Sequence, residues 1–175
     1  KDVYAITSNG KFYKSINEGQ SFVQKSNGLS EANHLYGSKI LCSSLNKGLI
    51  FIGGSGYENS PIFMSTNSGE SFFSIQNNLP STTIHDLVLN EDETFLFAAT
   101  ESGPYVYIFN ESKWYELGQG EAPDQTFWSV EYLKQSHRLR FATFGRGIWD
   151  LQINYLNDNK NLADYNLNIP SWIKN

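Results

Sequence analysis

The side chains able to do chemistry are few. Three histidines, His34, His85 and His137, stand 51 and 52 residues apart, a near-regular spacing that invites a metal reading because imidazole is a common ligand. Each sits differently relative to its nearest apolar run: His34 precedes one, His85 lies inside one, and His137 follows one. They are not expected to converge, and neither a metal nor a cofactor is expected. The single cysteine, Cys42, excludes an internal disulfide. Within Lys39-Ile40-Leu41-Cys42 it reads as an inert core thiol. The three arginines, Arg138, Arg140 and Arg146, fall within nine residues, too close to clamp a ligand carboxylate from separate segments. Arg146 is expected to bond turn carbonyls or a neighbouring carboxylate.

Carboxylates are the other candidates. Acid–base hydrolysis of a glycosidic bond needs two at a defined separation. The run Asn90-Glu91-Asp92-Glu93-Thr94 reads as a solvated turn. Glu31, Glu58, Glu101, Glu121 and Asp124 lie in other loops, and Gly120-Glu121-Ala122-Pro123-Asp124 is the best single place to look. Tyr36, Tyr57, Phe127 and Trp128 occur near these acids and offer flat apolar area.

The elements that position these residues follow from composition and repetition. Aromatics make up 15% of the 175 residues and charged side chains 18%, a balance that leans towards strands and turns. A net charge of −5 argues against nucleic acid, whose phosphates need a basic face. No apolar run approaches the roughly 20 residues of a membrane span. Anchors at Thr7, Gly54, Thr100 and Thr143 recur at steps of 47, 46 and 43 residues. Each follows one short apolar run and precedes another. A run upstream of these recurs at Ile40 to Leu45, Ile84 to Leu89 and Phe127 to Tyr132. A final run recurs at Ser21-Phe22-Val23, Ser71 to Ile75 and Trp114 to Leu117. Four short strands per 40–50 residues is the period of β-propeller blades. The expected fold is therefore all-β, with blades of four antiparallel strands. The chain should hold 14 strands in about three and a half blades, the first lacking its inner strand and the last its outer one.

The sharpest motif is the turn into the outer strand. Ser15-Ile16-Asn17-Glu18-Gly19-Gln20-Ser21-Phe22 recurs 50 residues later as Ser65-Thr66-Asn67-Ser68-Gly69-Glu70-Ser71-Phe72. Ser and Asn hydrogen-bond local backbone, Gly supplies positive φ, and the Phe packs the returning strand. Phe22 and Phe72 are both expected to be buried. This motif resembles the Asp-box (BNR) repeat, with Asn17 and Asn67 in place of Asp. A degenerate third copy, Phe109-Asn110-Glu111-Ser112-Lys113-Trp114, lacks the Gly. The resemblance covers residues 3–153 and implies a superfamily that includes sialidases, the sortilin luminal domain and family 74 glycoside hydrolases. Phe144-Gly145-Arg146-Gly147-Ile148-Trp149 is similar to a Gly-Arg-Gly-Ile-Trp ending of the last blade in bacterial secreted surface proteins. In the family such turns are structural, which implies that Ser15, Asn17, Gly19, Phe22, Ser65, Asn67, Gly69 and Phe72 shape the fold and do no catalysis.

The expected organisation is a propeller segment at 1–153 and an Asn-rich linker or tail at 154–175, with docking through Trp172 as the alternative. The expected function is a non-catalytic, secreted or cell-surface scaffold or recognition domain for protein or glycan. Ligand contacts are expected on the face opposite the repeat turns, at Tyr36, Tyr57, Glu58, Glu101, Glu121, Asp124 and Trp128. The missing blades of the same polypeptide are the other expected partner. The alternatives are a family 74-like or sialidase-like hydrolase with catalytic residues partly on missing blades, and a sortilin-like sorting receptor.

Overall fold

A computed structural model describes residues 1–25, 27–29, 35–57, 59–118 and 122–153. Its 14 strands form four antiparallel sheets of three, four, four and three strands. The first sheet holds β1 (Val3–Ile6), β2 (Phe12–Ser15) and β3 (Val23–Gln24). The second holds β4 (Lys39–Cys42), β5 (Ile50–Gly53), β6 (Ile62–Ser65) and β7 (Phe73–Ser74). The third holds β8 (Ile84–Leu89), β9 (Phe95–Thr100), β10 (Gly103–Ile108) and β11 (Lys113–Glu116). The last holds β12 (Phe127–Leu133), β13 (Arg138–Thr143) and β14 (Ile148–Gln152). Strands follow one another in spatial order within every sheet, as short polar turns require.

Blades pack face to face through three cores. Tyr4, Ile6 and Phe12 of the first sheet meet Ile50, Ile52, Phe63 and Phe72 of the second. Phe51 and Ile62 meet Leu96, Ala98, Tyr105 and Trp114 of the third. Phe97, Ala99 and Val106 then meet Val130, Leu139, Phe141 and Leu151 of the last. Because side chains alternate across a strand, each central sheet buries one row against the blade before it and the other against the blade after. This explains why β5 and β9 are buried at every position while β1 alternates.

The two repeat turns share one hydrogen-bond plan. Asn17 Oδ1 accepts from the Ser21 N–H at 2.9 Å, and Ser15 Oγ accepts from the Gly19 N–H at 2.9 Å. Asn67 and Ser65 do the same for Ser71 and Gly69. The amide of Asn also donates to the following Ser hydroxyl, at 2.9 Å from Asn17 and 2.8 Å from Asn67, which a carboxylate could not do. Their surroundings differ. Phe72 is buried edge-on against Phe12, with ring centroids 4.8 Å apart. Phe22 is 44% exposed, against expectation, because the blade it would pack on is not among these sheets. Val3 and Ala5 are exposed beside it, and their register equivalents Ile50 and Ile52 are fully buried. At the opposite end of the stack, paired polar side chains lie on the same face as Ile148, which is exposed. Arg140 makes a two-pronged contact with Asp150, at 2.7 Å in each prong, and Arg138 Nε donates to Gln152 at 2.8 Å.

The glycines of these turns give a paired test. Gly19 and Gly69 have φ of +89° and +80°, where an L side chain is strained by roughly 1–2 kcal/mol. A Cβ at Gly69 would also lie 2.6 Å from the Phe12 ring, while one at Gly19 meets nothing. Gly69→Ala should therefore cost about 1–3 kcal/mol more than Gly19→Ala. Urea unfolding of the two variants measures the difference.

Three further expectations are corrected here. The run Ile40 to Leu45 is strand only to Cys42, because Ser43 Oγ accepts from the Leu45 and Asn46 N–H groups and turns the chain. Cys42 is exposed, not in the core, since it ends the inner strand next to the place where the first sheet has none. Partial burial still raises its thiol pKa. The acidic run 90–94 is not merely solvated. Glu93 accepts from the backbone N–H groups of Ser44 and Leu45 at 2.7 and 3.2 Å, and from the Ser43 and Ser44 hydroxyls. Glu91 pairs with Lys134 at 2.5 Å. These acids staple successive blades on the face that carries the repeat turns.

Candidate functional site

The other face carries Tyr57, Glu101 and Trp128, three of the expected ligand residues. Strands β8 and β12 line the axis, and each carries a bulge at its start, between Ile84 and Asp86 and between Phe127 and Ser129. A bulge inserts one residue and re-aims its side chain. The inserted residues are His85 and Trp128, at equivalent positions of adjacent blades. Their rings meet with centroids 4.1 Å apart. Phe144 stands 6.4 Å from Trp128, held by its N–H bond to the Thr126 carbonyl at 3.0 Å. Trp128 is 49% and Phe144 73% exposed, unusual for large rings outside an interaction site.

A polar pair joins the second and third blades, Tyr57 from the loop between β5 and β6 and Glu101 from the turn between β9 and β10. The Tyr57 hydroxyl donates to the Glu101 carboxylate, and this bond raises the Tyr57 pKa. Glu101 occupies the turn position in its blade that Phe144 occupies in the next, one residue after the anchors Thr100 and Thr143. Burial lowers the His85 pKa, and the nearby Glu101 charge opposes that. Among the described residues His85 Nε2 is buried without a hydrogen-bond partner. The result is a band of Tyr57, Glu101, His85, Trp128 and Phe144 running across three blades.

Of the expected ligand residues, Tyr57, Glu101 and Trp128 are brought into this band. Tyr36 is exposed on the same face, but its N–H is tied to the Ser8 carbonyl of the first blade at 2.7 Å. Asp124 is exposed in the loop before β12. Glu58 and Glu121 lie outside the described residues, as do Glu31 and His34. Phe127 is buried and serves the core. His85, whose spacing invited only a metal reading, and Phe144 are members not expected among the ligand residues. Repeat arithmetic offers the only signal, since His85 aligns with Trp128 and Phe144 with Glu101. Arg146, expected to bond a carbonyl or carboxylate, is exposed with no such bond among the described residues. Among those residues no group of three or more His, Cys, Asp or Glu could hold a metal.

Beneath the band, the inner strands are joined by a polar chain. Lys39 Nζ of β4 lies 2.6 Å from Asp86 Oδ1. Asp86 Oδ2 accepts from Ser129 Oγ at 2.9 Å and from the Val130 N–H at 3.1 Å. One carboxylate thus fixes three blades about the axis, immediately behind both bulged residues.

No protein-family model matches the chain, and no curated protein matches it in sequence. Solved structures do. The extracellular domain of BT4673 from B. thetaiotaomicron superposes with a TM-score of 0.68 at 19% identity, over 89% of this chain and 20% of that one. The GH74 enzyme of Niastella koreensis gives 0.66 at 22% identity, over 86% of this chain and 25% of that one. The Cps50 (Swd1) β-propeller domain of Myceliophteria thermophila gives 0.63 at 10% identity, over 91% and 53%. The fold is that of β-propeller blades. The chain spans about a fifth to a quarter of the first two structures' length.

Proposed function

We propose that the chain is part of a secreted or cell-surface Asp-box β-propeller that recognises a glycan or protein without transforming it. The single observation that carries this reading is the exposed Trp128–Phe144 pair on the face opposite the repeat turns, backed by His85 and flanked by Tyr57 and Glu101. Flat rings left in water suit the apolar face of a sugar ring or a peptide side chain. The net charge of −5 favours neutral or cationic ligands over anionic ones. The two Ser-x-Asn-x-Gly turns, with their shared hydrogen-bond plan, are read as Asp-boxes that shape the opposite rim. Further blades of the same polypeptide are the partner proposed for the apolar face at Val3, Ala5 and Phe22.

A glycan array and a pull-down on the full-length protein test the reading. Trp128→Ala and Phe144→Ala should each weaken ligand capture at least tenfold. Their melting temperatures should stay within a few degrees of the parent, because both rings are largely exposed, at 49% and 73%. Hydrolysis of xyloglucan or a sialoside, abolished by Glu121→Ala with Asp124→Ala, would instead make the protein an enzyme. Capture unaffected by either aromatic truncation would remove this face from consideration.

A further inference from the structure

The last sheet ends one strand short of its neighbours. In each of the first three sheets an outer strand closes the ladder, and the residue after it donates its N–H to an equivalent carbonyl. Lys25 donates to Phe12 at 2.8 Å, Ile75 to Ile62 at 3.3 Å and Leu117 to Pro104 at 2.8 Å. Register makes the Ile148 carbonyl the fourth member of that series, since Ala142 pairs Ile148 as Ile6 pairs Phe12. Among the described residues nothing pairs with the outer edge of β14. Beside that edge lies a shallow apolar groove, open to solvent and lined by Leu117, Gly118, Ala122, Trp149 and Leu151 among others. In the two preceding sheets an aromatic ring fills the corresponding place. Phe72 is 4% and Trp114 2% exposed, and Trp114 Nε1 donates to the Ile75 carbonyl at 2.8 Å.

We propose that the chain's own segment Ser171-Trp172-Ile173-Lys174 adds to β14 as the missing fourth strand, with Trp172 laid over the groove. The segment lies outside the described residues, and its sequence carries the outer-strand pattern. Ser171-Trp172-Ile173 aligns with Ser21-Phe22-Val23 and with Ser71-Phe72-Phe73, and Trp172-Ile173-Lys174 with Trp114-Tyr115-Glu116. In the register of β10 with β11, where Tyr107 pairs Trp114, Trp172 stands opposite Leu151, whose side chain lines the groove. Ile173 then faces Asp150 on the exposed side, as Val23 and Phe73 are exposed in their blades. The Asn175 N–H reaches the Ile148 carbonyl, and Trp172 Nε1 reaches the Leu117 carbonyl as Trp114 reaches Ile75. Any extended strand can satisfy a sheet edge. A tethered one competes at an effective concentration on the order of millimolar. The 18 intervening residues, 153–170, cost little more to close than a short turn, because closure entropy grows only with the logarithm of loop length.

Hydrogen–deuterium exchange followed by mass spectrometry tests this on the full chain, Trp172→Ala, Trp172→Phe and Ile173→Pro. Amides of Ile148–Gln152 and of 172–175 should exchange at least tenfold more slowly in the full chain and in Trp172→Phe than in Trp172→Ala. Ile173→Pro keeps the ring but removes a ladder N–H, and it should also lose the protection. Unchanged exchange in β9, buried at every position, confirms that each variant is folded. Exchange of 172–175 at the unfolded rate in the full chain would overturn the proposal. So would protection of β14 that rises with protein concentration, which would identify a second copy as the occupant.

Discussion

Phe72→Ala lowers stability by about 3–5 kcal/mol, and Phe22→Ala by about 1 kcal/mol or less. The two rings follow the same turn, with the same Ser–Asn hydrogen bonds and the same glycine. Only the neighbour differs. Phe72 is 4% exposed, packs on Phe12 and is roofed by the segment 27–29, where its N–H donates to the Asn27 carbonyl at 2.9 Å. Phe22 has no facing sheet and is 44% exposed. Truncation at 72 therefore leaves a cavity between two blades, whereas truncation at 22 removes a ring already half in water. Urea denaturation of both variants gives the two numbers. Equal losses would mean that the turn itself, and not the packing between blades, sets the role of the aromatic. In a longer polypeptide that covers the first sheet, Phe22→Ala should become as costly as Phe72→Ala.

Asp86→Ala is expected to cost about 2–4 kcal/mol, because it removes the acceptor shared by three blades and strands the Val130 N–H. Lys39→Ala should cost less, its side chain being 34% exposed against 15% for Asp86. The same group predicts a pH dependence. Burial opposes the Asp86 charge, but bonds from Lys39, the Val130 N–H and Ser129 outweigh it and hold the carboxyl below its ordinary value. For Glu93, burial is likewise outweighed, here by Ser43, Ser44 and the Leu45 N–H. A carboxyl depressed in the folded state binds fewer protons there than when unfolded. Its contribution is complete above the ordinary carboxylate pKa of about 4, and it is lost as the pH falls from there through the lower folded value. Melting temperature should thus drop steeply on acidification below about pH 4, and Asp86→Asn should flatten that drop. An identical acid limb in parent and variant would exclude Asp86 as its source.

The strand count was legible because blades repeat, and repetition survives an error of one or two residues at any boundary. β3 and β7 are only two residues long, yet the motif ahead of each marks it. The fates of Phe22 and Phe72 were not legible, since identical local sequence carries no information about which sheet lies opposite. Glu93 was misread for a related reason. A carboxylate in a turn is solvated by default, and only the backbone N–H groups of Ser44 and Leu45, 49 and 48 residues away, make it a staple. At the candidate site Tyr57, Glu101 and Trp128 were found from loop position and residue type. His85 was missed because a bulge breaks the alternation from which side-chain direction is inferred, and Phe144 because it was read only as the start of the blade-ending motif 144–149. Within a strand read as regular, His85 cannot be told from its neighbours.

The unlike ends of the blade stack bear on how copies of this chain can meet. An end face of Val3, Ala5 and Phe22 invites burial, and if the far end matched it, each molecule would offer both halves of a head-to-tail contact. Contacts of that kind do not close, and they propagate into fibres. The far end, apart from the exposed Ile148, presents Arg140 held by Asp150, and Arg138 held by Gln152. Pressing Val3 and Phe22 onto these groups would strip water from a charge pair without supplying new partners. Head-to-tail stacking of one copy's first sheet on another's last sheet is thereby disfavoured.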